Sequence, residues 1–120
     1  MNKRQIGTDK EKLAVGYLKK QGVSILERNF RCKSGEIDII GQDGESIVFF
    51  EVKYRKNPAA GFPVEAVDLK KQTTISRVAD FYRLIRSLSG DTPFRFDVIA
   101  ILGGDITWYK NAFEYRRYYK

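Results

Sequence analysis

Two apolar segments that each contain a carboxylate, joined by a tight-turn sequence, constrain the fold of this chain most strongly. The first segment runs from Glu36 to Gly41 and the second from Ser46 to Arg55, with Asp43-Gly44 between them. An Asp-Gly pair between apolar stretches is typical of a two-residue β-hairpin loop. The sequence therefore predicts two neighbouring antiparallel strands.

The polar residues of this hairpin are placed by the alternation of side chains along a strand. Alternation puts Ile37 and Ile39 on one face of the first strand and Asp38 on the other. On the second strand it puts Glu51 and Lys53 on one face. Counting back from the turn brings Asp38 and Glu51 near each other across the two strands. We therefore expect two acids and a lysine to lie close together.

Carboxylates in the middle of apolar strands need partners, because burying an unpaired charge costs several kcal/mol. One interpretation is an ordinary cross-strand ion pair, in which Lys53 satisfies Glu51 or Asp38. The other is a magnesium site, since Mg²⁺ prefers oxygen ligands and completes its shell with water and phosphate. A lysine beside such a site can stabilise a charged transition state. Residue spacing alone leaves both interpretations open.

The remaining segments complete an α/β layer domain. A first helix is expected to begin at the N-cap Thr8 and to end at Gly22. Helical spacing predicts a second helix from about Asp68 to Leu88, after a loop rich in proline and glycine. The other predicted strands are Val23 to Arg31, Phe94 to Leu102 and Ile106 to Lys110. The order αβββαββ describes a single domain over residues 1–120, a sheet with helices packed against it.

The charge balance favours a polyanion as partner. The chain carries 22 lysines and arginines against 15 acids, a formal net charge of +7. A basic surface gains affinity for nucleic acid by releasing counterions from the phosphates. No helix combines a basic face with a broad aromatic one, so a membrane is not expected as a partner. A basic soluble protein without such a partner is the alternative.

The chain contains no histidine, and this absence excludes several kinds of active site. Serine–histidine triads, cysteine–histidine pairs and histidine-ligated zinc are ruled out. Cys32, the single cysteine, leaves no internal disulfide and is expected to be a buried apolar side chain. The polar N-terminus is unlike a signal peptide, and the longest apolar run, Val98 to Leu102, is too short to span a bilayer. We therefore expect a cytoplasmic protein.

The hairpin motif resembles a known group of enzymes. Gly-Glu-Ile-Asp ending at Asp38, followed across a hairpin by Phe-Glu-Val-Lys ending at Lys53, resembles the PD-(D/E)xK nuclease superfamily. The chain is most similar to the YraN family of small bacterial proteins, predicted nucleases related to archaeal Holliday-junction resolvases. Ile37 stands where the superfamily motif nominally has proline, a position that varies in the superfamily. Further matching stretches are Gly7 to Ala14, Asn29 to Arg31, Val67 to Gln72, Arg95 to Val98 and Asn111 to Phe113.

This resemblance implies a fold and an activity. The fold would be a restriction-endonuclease-like three-layer core, with a central mixed sheet flanked by helices. The activity would be hydrolysis of phosphodiester bonds with Mg²⁺ or Mn²⁺ as cofactor. DNA is favoured as the substrate, with branched or structured DNA as one option and with RNA and linear DNA as the alternatives. Asp38 and Glu51 would bind the metal together with the backbone carbonyl of Val52, and Lys53 would be the catalytic lysine. Analogy with resolvases also suggests a homodimer.

The resemblance further implies roles for Glu11 and Lys71, and the basic residue Arg55 is a second candidate beside Lys71. Glu11 would be a supporting acid on the first helix, but Thr8 and Glu11 also form a capping-box sequence, and one side chain does not easily do both. Arg55 and Lys71 would contact the nucleic-acid backbone, with Lys71 near a helix N-terminus that favours anions. A solvated helical lysine is the alternative for Lys71.

Two other features each have two interpretations. Asp97 lies within an apolar strand, where a structural role, with Arg95 or a helix residue as its partner, is favoured over a role in the site. The aromatic and basic tail from Trp108 to Lys120 suits stacking on unpaired bases, or else edge-strand packing and dimerisation.

Two rival functions remain open for the whole chain. One is a non-catalytic nucleic-acid-binding module of the same fold, in which Glu51 and Lys53 form an ion pair. The other is an interaction domain whose basic surface contacts an acidic protein.

Overall fold

Two helices and five strands follow one another in the predicted order αβββαββ. The computed structural model describes residues 3–57 and 67–117, with side chains described from residue 7 onward. Most of the predicted loop Lys56 to Pro63 and the last three residues of the predicted tail lie outside these ranges. The elements are α1 (Lys3–Lys20), β1 (Ser24–Cys32), β2 (Gly35–Asp43), β3 (Ser46–Arg55), α2 (Leu69–Ile85), β4 (Phe94–Leu102) and β5 (Asp105–Phe113).

The strands form one mixed sheet in the order β1-β2-β3-β4-β5. The first three strands are an antiparallel meander, as predicted. β3 and β4 run parallel, because α2 crosses over between them and returns the chain to the same end of the sheet. β5 then pairs antiparallel with β4 and forms one edge.

The helices cover opposite faces of the sheet. Phe49 packs in the cluster that α2 covers, and the next residue, Phe50, packs in the cluster that α1 covers. The cluster on the α2 side includes Ile75, Val78, Ala79, Tyr82, Phe96 and Val98. The cluster on the α1 side includes Ala14, Leu18, Val48, Ile99 and Ile101. These three layers confirm the restriction-endonuclease-like core that the sequence resemblance implied.

The hairpin between β2 and β3 turns one residue later than predicted. Gly44 and Glu45 form the two-residue loop, and Asp43 pairs with Ser46. Gly44 has φ +61°, at the first loop position, where a type II′ turn requires glycine. Asp43 is therefore a strand residue rather than a loop residue.

The first helix begins earlier than predicted. α1 begins at Lys3, so that Thr8 lies within the helix and is not its N-cap. Gly22 follows the helix with φ +93°, the left-handed conformation predicted for that position.

In the part of the chain that the structure describes, neither helix is long and apolar enough to cross a membrane.

The second helix begins close to the predicted start, and the structure shows Asp68 as its N-cap. The side chain of Asp68 accepts a hydrogen bond from the backbone N–H of Lys71 at 2.8 Å, and the helix ends at Ile85, three residues before the predicted end.

Cys32, expected to be buried, is half-buried against the cluster on the α2 side.

The start of the predicted tail belongs to the sheet. β5 continues to Phe113, whose ring stacks on that of Phe96 at a centroid distance of 5.1 Å. Beyond the strand, the hydroxyl of Tyr115 donates to Asp80, and the backbone N–H of Arg116 donates to Ser76 on α2. These contacts favour edge packing for this part of the tail, whereas base stacking and dimerisation stay predictions.

Asp97 is a structural residue, as expected. Its side chain is fully buried and accepts from Nε of Arg95 at 3.0 Å, confirming the predicted pair. It also accepts from Nε1 of Trp108 and from the backbone N–H of Asn111, both at 2.8 Å. Arg95 also donates a hydrogen bond through Nη2 to Oδ2 of Asp43 at 2.7 Å. The network therefore links β4 and β5 to the end of the β2–β3 hairpin.

Candidate active site

The candidate site lies where β2 and β3 diverge. Their ladder of residue pairs ends with Ile39 opposite Phe50. The next pair in this register would be Asp38 and Glu51, whereas the predicted loop would have placed Phe49 opposite Asp38. The later turn therefore brings the two acids directly opposite each other, closer than the sequence indicated.

A side chain takes over the hydrogen bond that the diverging strands lose. The backbone N–H of Val52 donates to Oδ2 of Asp38 at 2.8 Å. The N–H and C=O of one strand residue project from the same edge of the strand, so we expect the carbonyl of Val52 to face the same gap. The structure therefore brings the carboxyl groups of Asp38 and Glu51 together, and the metal-binding role that the resemblance implied for them and for the Val52 carbonyl stays a prediction.

The divergence also interrupts the alternation of β2. Ile39 belongs to the cluster on the α1 side, while Ile37 and Ile40 both belong to the cluster on the α2 side. The prediction that Ile37 and Ile39 share a face is therefore wrong. The alternation breaks at Asp38, where β2 leaves β3 while it stays paired with β1.

The position of Glu51 perturbs its protonation strongly. Its side chain is only 8% exposed. Burial and, secondly, the charge of Asp38 raise the pKa of Glu51 to about 8, with a hydrogen bond to Asp38 acting in the same direction. The charges of Lys71 and Lys53 lower this pKa in part. Two carboxyl groups in contact, one of them buried, favour sharing a proton or binding a cation.

This set of donors fits a divalent cation such as Mg²⁺ or Mn²⁺. Within residues 3–57 and 67–117 there is no cluster of three or more acidic or cysteine side chains able to enclose a metal. Asp38 and Glu51 thus provide two carboxylates, and the carbonyl of Val52 a third oxygen. Mg²⁺ is commonly held by one or two carboxylates, with water and substrate oxygens in its other positions.

The ion pair at Glu51 comes from α2. Nζ of Lys71 lies 3.8 Å from Oε2 of Glu51, and the lysine side chain is 40% exposed. Lys53 shares the face of Glu51 by alternation and acts on it through its charge. In the described part of the chain the structural ion pair therefore involves Lys71, and not Lys53 as the sequence suggested.

The predicted backbone-binding residues differ in their surroundings. Lys71 lies at the site, but its own N–H is already bonded to Asp68, so the start of α2 offers fewer open donors than expected. Arg55 lies at the end of β3, where its guanidinium donates to the carbonyl of Tyr54 at 3.0 Å. Of the two, only Lys71 contacts an acid of the site.

Glu11 lies on the third turn of α1 and does not cap that helix. Its Oε1 accepts a hydrogen bond from Nδ2 of Asn29 at 2.7 Å. Burial and, secondly, the charge of Asp38 raise the pKa of Glu11, whereas the hydrogen bond from Asn29 lowers it. Glu11 is therefore near enough for the charge of Asp38 to act on it, and its role as a supporting acid stays a prediction.

Sequence reasoning did not assign a role to Asn29. The residue has φ +52° within β1, a conformation that asparagine tolerates better than most residues. The available indication was the match of Asn29 to Arg31 with the family, but the partner of Asn29 is on another element.

These observations define a class of protein before any comparison: an α/β protein with a restriction-endonuclease-like core and an Asp…Glu-x-Lys hairpin. The chain belongs to the uncharacterised protein family UPF0102, whose family profile matches residues 10–101. This result confirms the family that the hairpin motif indicated, and the superfamily assignment is consistent with it. The matched range includes Glu11, Asp38, Glu51, Lys53 and Lys71.

Curated relatives cover almost the whole chain. A UPF0102 protein of Lachnoclostridium phytofermentans is 47% identical over 114 residues, which are 95% of this chain and 97% of the relative. One from Caldicellulosiruptor saccharolyticus is 44% identical over 119 residues, covering 94% and 100%. One from Vibrio campbellii is 46% identical over 114 residues, covering 92% and 93%.

Proposed function

We propose that this protein is a metal-dependent endonuclease that hydrolyses phosphodiester bonds in DNA, with branched or structured DNA as its preferred substrate. The observation that supports the proposal most directly is the contact between Asp38 and Glu51 at the end of a strand ladder. Burial and, secondly, a neighbouring acid raise the pKa of Glu51, an arrangement that does not help the protein to fold. Groups with such perturbed pKa values concentrate at functional sites. The net charge of +7 suits a phosphate-rich substrate.

Each residue of the site has a distinct task in this reaction. Mg²⁺ or Mn²⁺, when bound, supplies Lewis-acid chemistry that makes water more nucleophilic and offsets charge on the phosphate. Asp38 and Glu51 bind the cation, and the N–H of Val52 keeps the Asp38 carboxylate in place. Lys53 orients the attacking water and offsets the charge that develops on the phosphoryl oxygens. Lys71, partly exposed, is free to turn from Glu51 towards a backbone phosphate.

One observation favours the rival, non-catalytic module. The contact between Lys71 and Glu51 partly neutralises the site without any metal. A DNA-binding protein of this fold would retain that ion pair and would bind DNA equally well with or without divalent cations.

The test is cleavage by site variants and a matched control. Branched, nicked, linear and single-stranded DNA, and RNA, are incubated with Mn²⁺ and the wild type, Asp38→Asn, Lys53→Met or Lys19→Met. Lys19→Met makes the same change near the end of α1, about 12 Å along the helix from Glu11. The proposal expects Lys53→Met to lose about 100- to 1,000-fold in rate, Asp38→Asn to be inactive, and the control to cleave normally. Absence of cleavage by the wild type, or equal cleavage by all four proteins, contradicts the nuclease.

A further inference from the structure

Asn29 occupies an unusual place in the sheet. Its φ of +52° lies in the left-handed region, inside β1. The β1–β2 register makes Asp38 its partner, and the ladder continues on both sides of this position. A left-handed conformation outside glycine costs about 1 kcal/mol or more and persists where surrounding contacts hold it. The contact that holds Asn29 therefore bears on its role.

That contact is with Glu11. Nδ2 of Asn29 donates to Oε1 of Glu11 at 2.7 Å, which links the centre of β1 to the third turn of α1. Both residues are half-buried, so the hydrogen bond is partly shielded from water. The left-handed backbone directs the amide away from the regular strand pattern and onto the helix.

The chemistry of the donor is informative. A lysine or arginine at this position would neutralise Glu11, whereas a neutral amide fixes the carboxylate and leaves its negative charge intact. The contact therefore fixes a further carboxylate near Asp38 without adding a compensating positive charge.

We infer that Asn29 is a positioning residue that holds the Glu11 carboxylate beside Asp38, and so strengthens binding of a divalent cation at the site. The inference rests on the proposed function, because it assumes that Asp38 and Glu51 bind a cation. Asn29 acts through Glu11 and touches neither the substrate nor the reacting atoms.

The chain offers a matched control for testing this role. Asn111 in β5 has nearly the same backbone conformation, φ +53°, and its side chain is exposed. Its N–H, which glycine would retain, bonds to Asp97. Asn29→Gly and Asn111→Gly both remove an amide from a left-handed strand position where glycine is tolerated. Only Asn29→Gly removes the contact with Glu11.

The experiment measures Mn²⁺ affinity by titration calorimetry, with circular dichroism to establish folding. Asn29→Gly is expected to weaken Mn²⁺ binding about tenfold, as changes to residues that orient metal ligands commonly do. Asn111→Gly should bind as the wild type does. In a Glu11→Ala background, Asn29→Gly should have no further effect, because its effect passes through Glu11.

Each other outcome overturns the inference. If the wild type and Asn29→Gly bind Mn²⁺ with equal affinity, the role of Asn29 is contradicted and the proposed function stands. A further tenfold loss in the Glu11→Ala background shows that Asn29 does not act through Glu11. A wild type that binds no Mn²⁺ overturns the proposed function and this inference together.

Discussion

The backbone N–H of Val52 donates a hydrogen bond to Oδ2 of Asp38 over 2.8 Å. The carboxylate stands where a carbonyl of the neighbouring strand would be in a continuous ladder. Asp38 is therefore held by the main chain, and its second oxygen is left for Glu51 or a cation. This separation of tasks allows charge and position to be tested independently.

Asp38→Asn is expected to keep the fold and lose the metal. The asparagine Oδ1 can still accept from Val52, but the negative charge is gone. At a Mn²⁺ concentration of about 100 times Kd, bound metal stabilises the wild type by about 2.7 kcal/mol, which raises Tm by about 10 °C in a domain of this size. Scanning fluorimetry should show this rise in the wild type only. An equal rise in the variant contradicts the assignment of Asp38.

Lys71→Met should weaken DNA binding more than it slows chemistry. If Lys71 contacts a phosphate, its loss reduces the slope of log K against log salt concentration by about 0.7 to 0.9. Fluorescence anisotropy in EDTA measures that slope, and steady-state kinetics should show a raised KM with kcat nearly unchanged. A slope equal to that of the wild type would assign Lys71 to its ion pair with Glu51 alone.

Stability in the absence of metal should fall with rising pH because of Glu51. The folded state holds a proton on this residue up to about pH 8, whereas a glutamate in the unfolded chain releases it near the ordinary pKa of 4.5. Between these two values the folded protein binds more protons, so raising the pH favours unfolding. Glu51→Gln imitates the protonated acid and should flatten the decline. Urea titrations in EDTA at about pH 5 and about pH 8 measure the difference, and parallel declines would contradict it.

Asp97→Ala should destabilise the protein without affecting the metal site. The change leaves Arg95 with one acid partner fewer and leaves the indole N–H of Trp108 without its acceptor. Breaking a buried charge pair costs about 3 to 5 kcal/mol, which chemical denaturation readily detects. The control is Asp105→Ala at the exposed start of β5, expected to lie within about 0.5 kcal/mol of the wild type. Similar losses in both variants would argue against the network.

Gly41→Ala should destabilise the sheet by about 1 to 3 kcal/mol. A Cβ at Gly41 would lie 2.8 Å from Cγ1 of Val23 and 3.1 Å from the carbonyl oxygen of Ser24. Gly16→Ala is the matched change, since a Cβ there meets nothing within 4 Å. Alanine in that helix should stabilise by about 0.5 to 1 kcal/mol. Denaturation midpoints measure both effects, and a neutral Gly41→Ala would show that the contact relaxes.

The sequence predicted best those elements whose cause is local. β3 and β4 begin and end where expected, because each is a run of β-branched and aromatic residues bounded by turn residues. The start of α2 near Asp68 was likewise predicted from the helical spacing of its apolar residues. The predicted hairpin alone was sufficient to predict that Asp38, Glu51 and Lys53 lie near one another.

The features that were missed depend on contacts between elements. The bond from Asn29 joins a strand to a helix residue that lies 18 residues earlier in the chain, and strand alternation contains no information about it. The break at Asp38 depends on where two strands part, which hydrophobic pattern does not encode. The prediction that Thr8 caps α1 was wrong, because the helix begins at Lys3 and continues through the threonine.

The site combines one local unit with two distant residues, and this has a consequence for how it forms. Asp38 and Glu51 lie on one hairpin, an element that closes within about 1 to 10 μs, whereas Glu11 and Lys71 arrive only when α1 and α2 dock. We expect Asp38 and Glu51 to come into contact early in folding. Glu11 and Lys71 would reach the site last, when their helices pack on the sheet. The hairpin alone therefore forms the acidic pair, and the two helices add the residues that act on its charge.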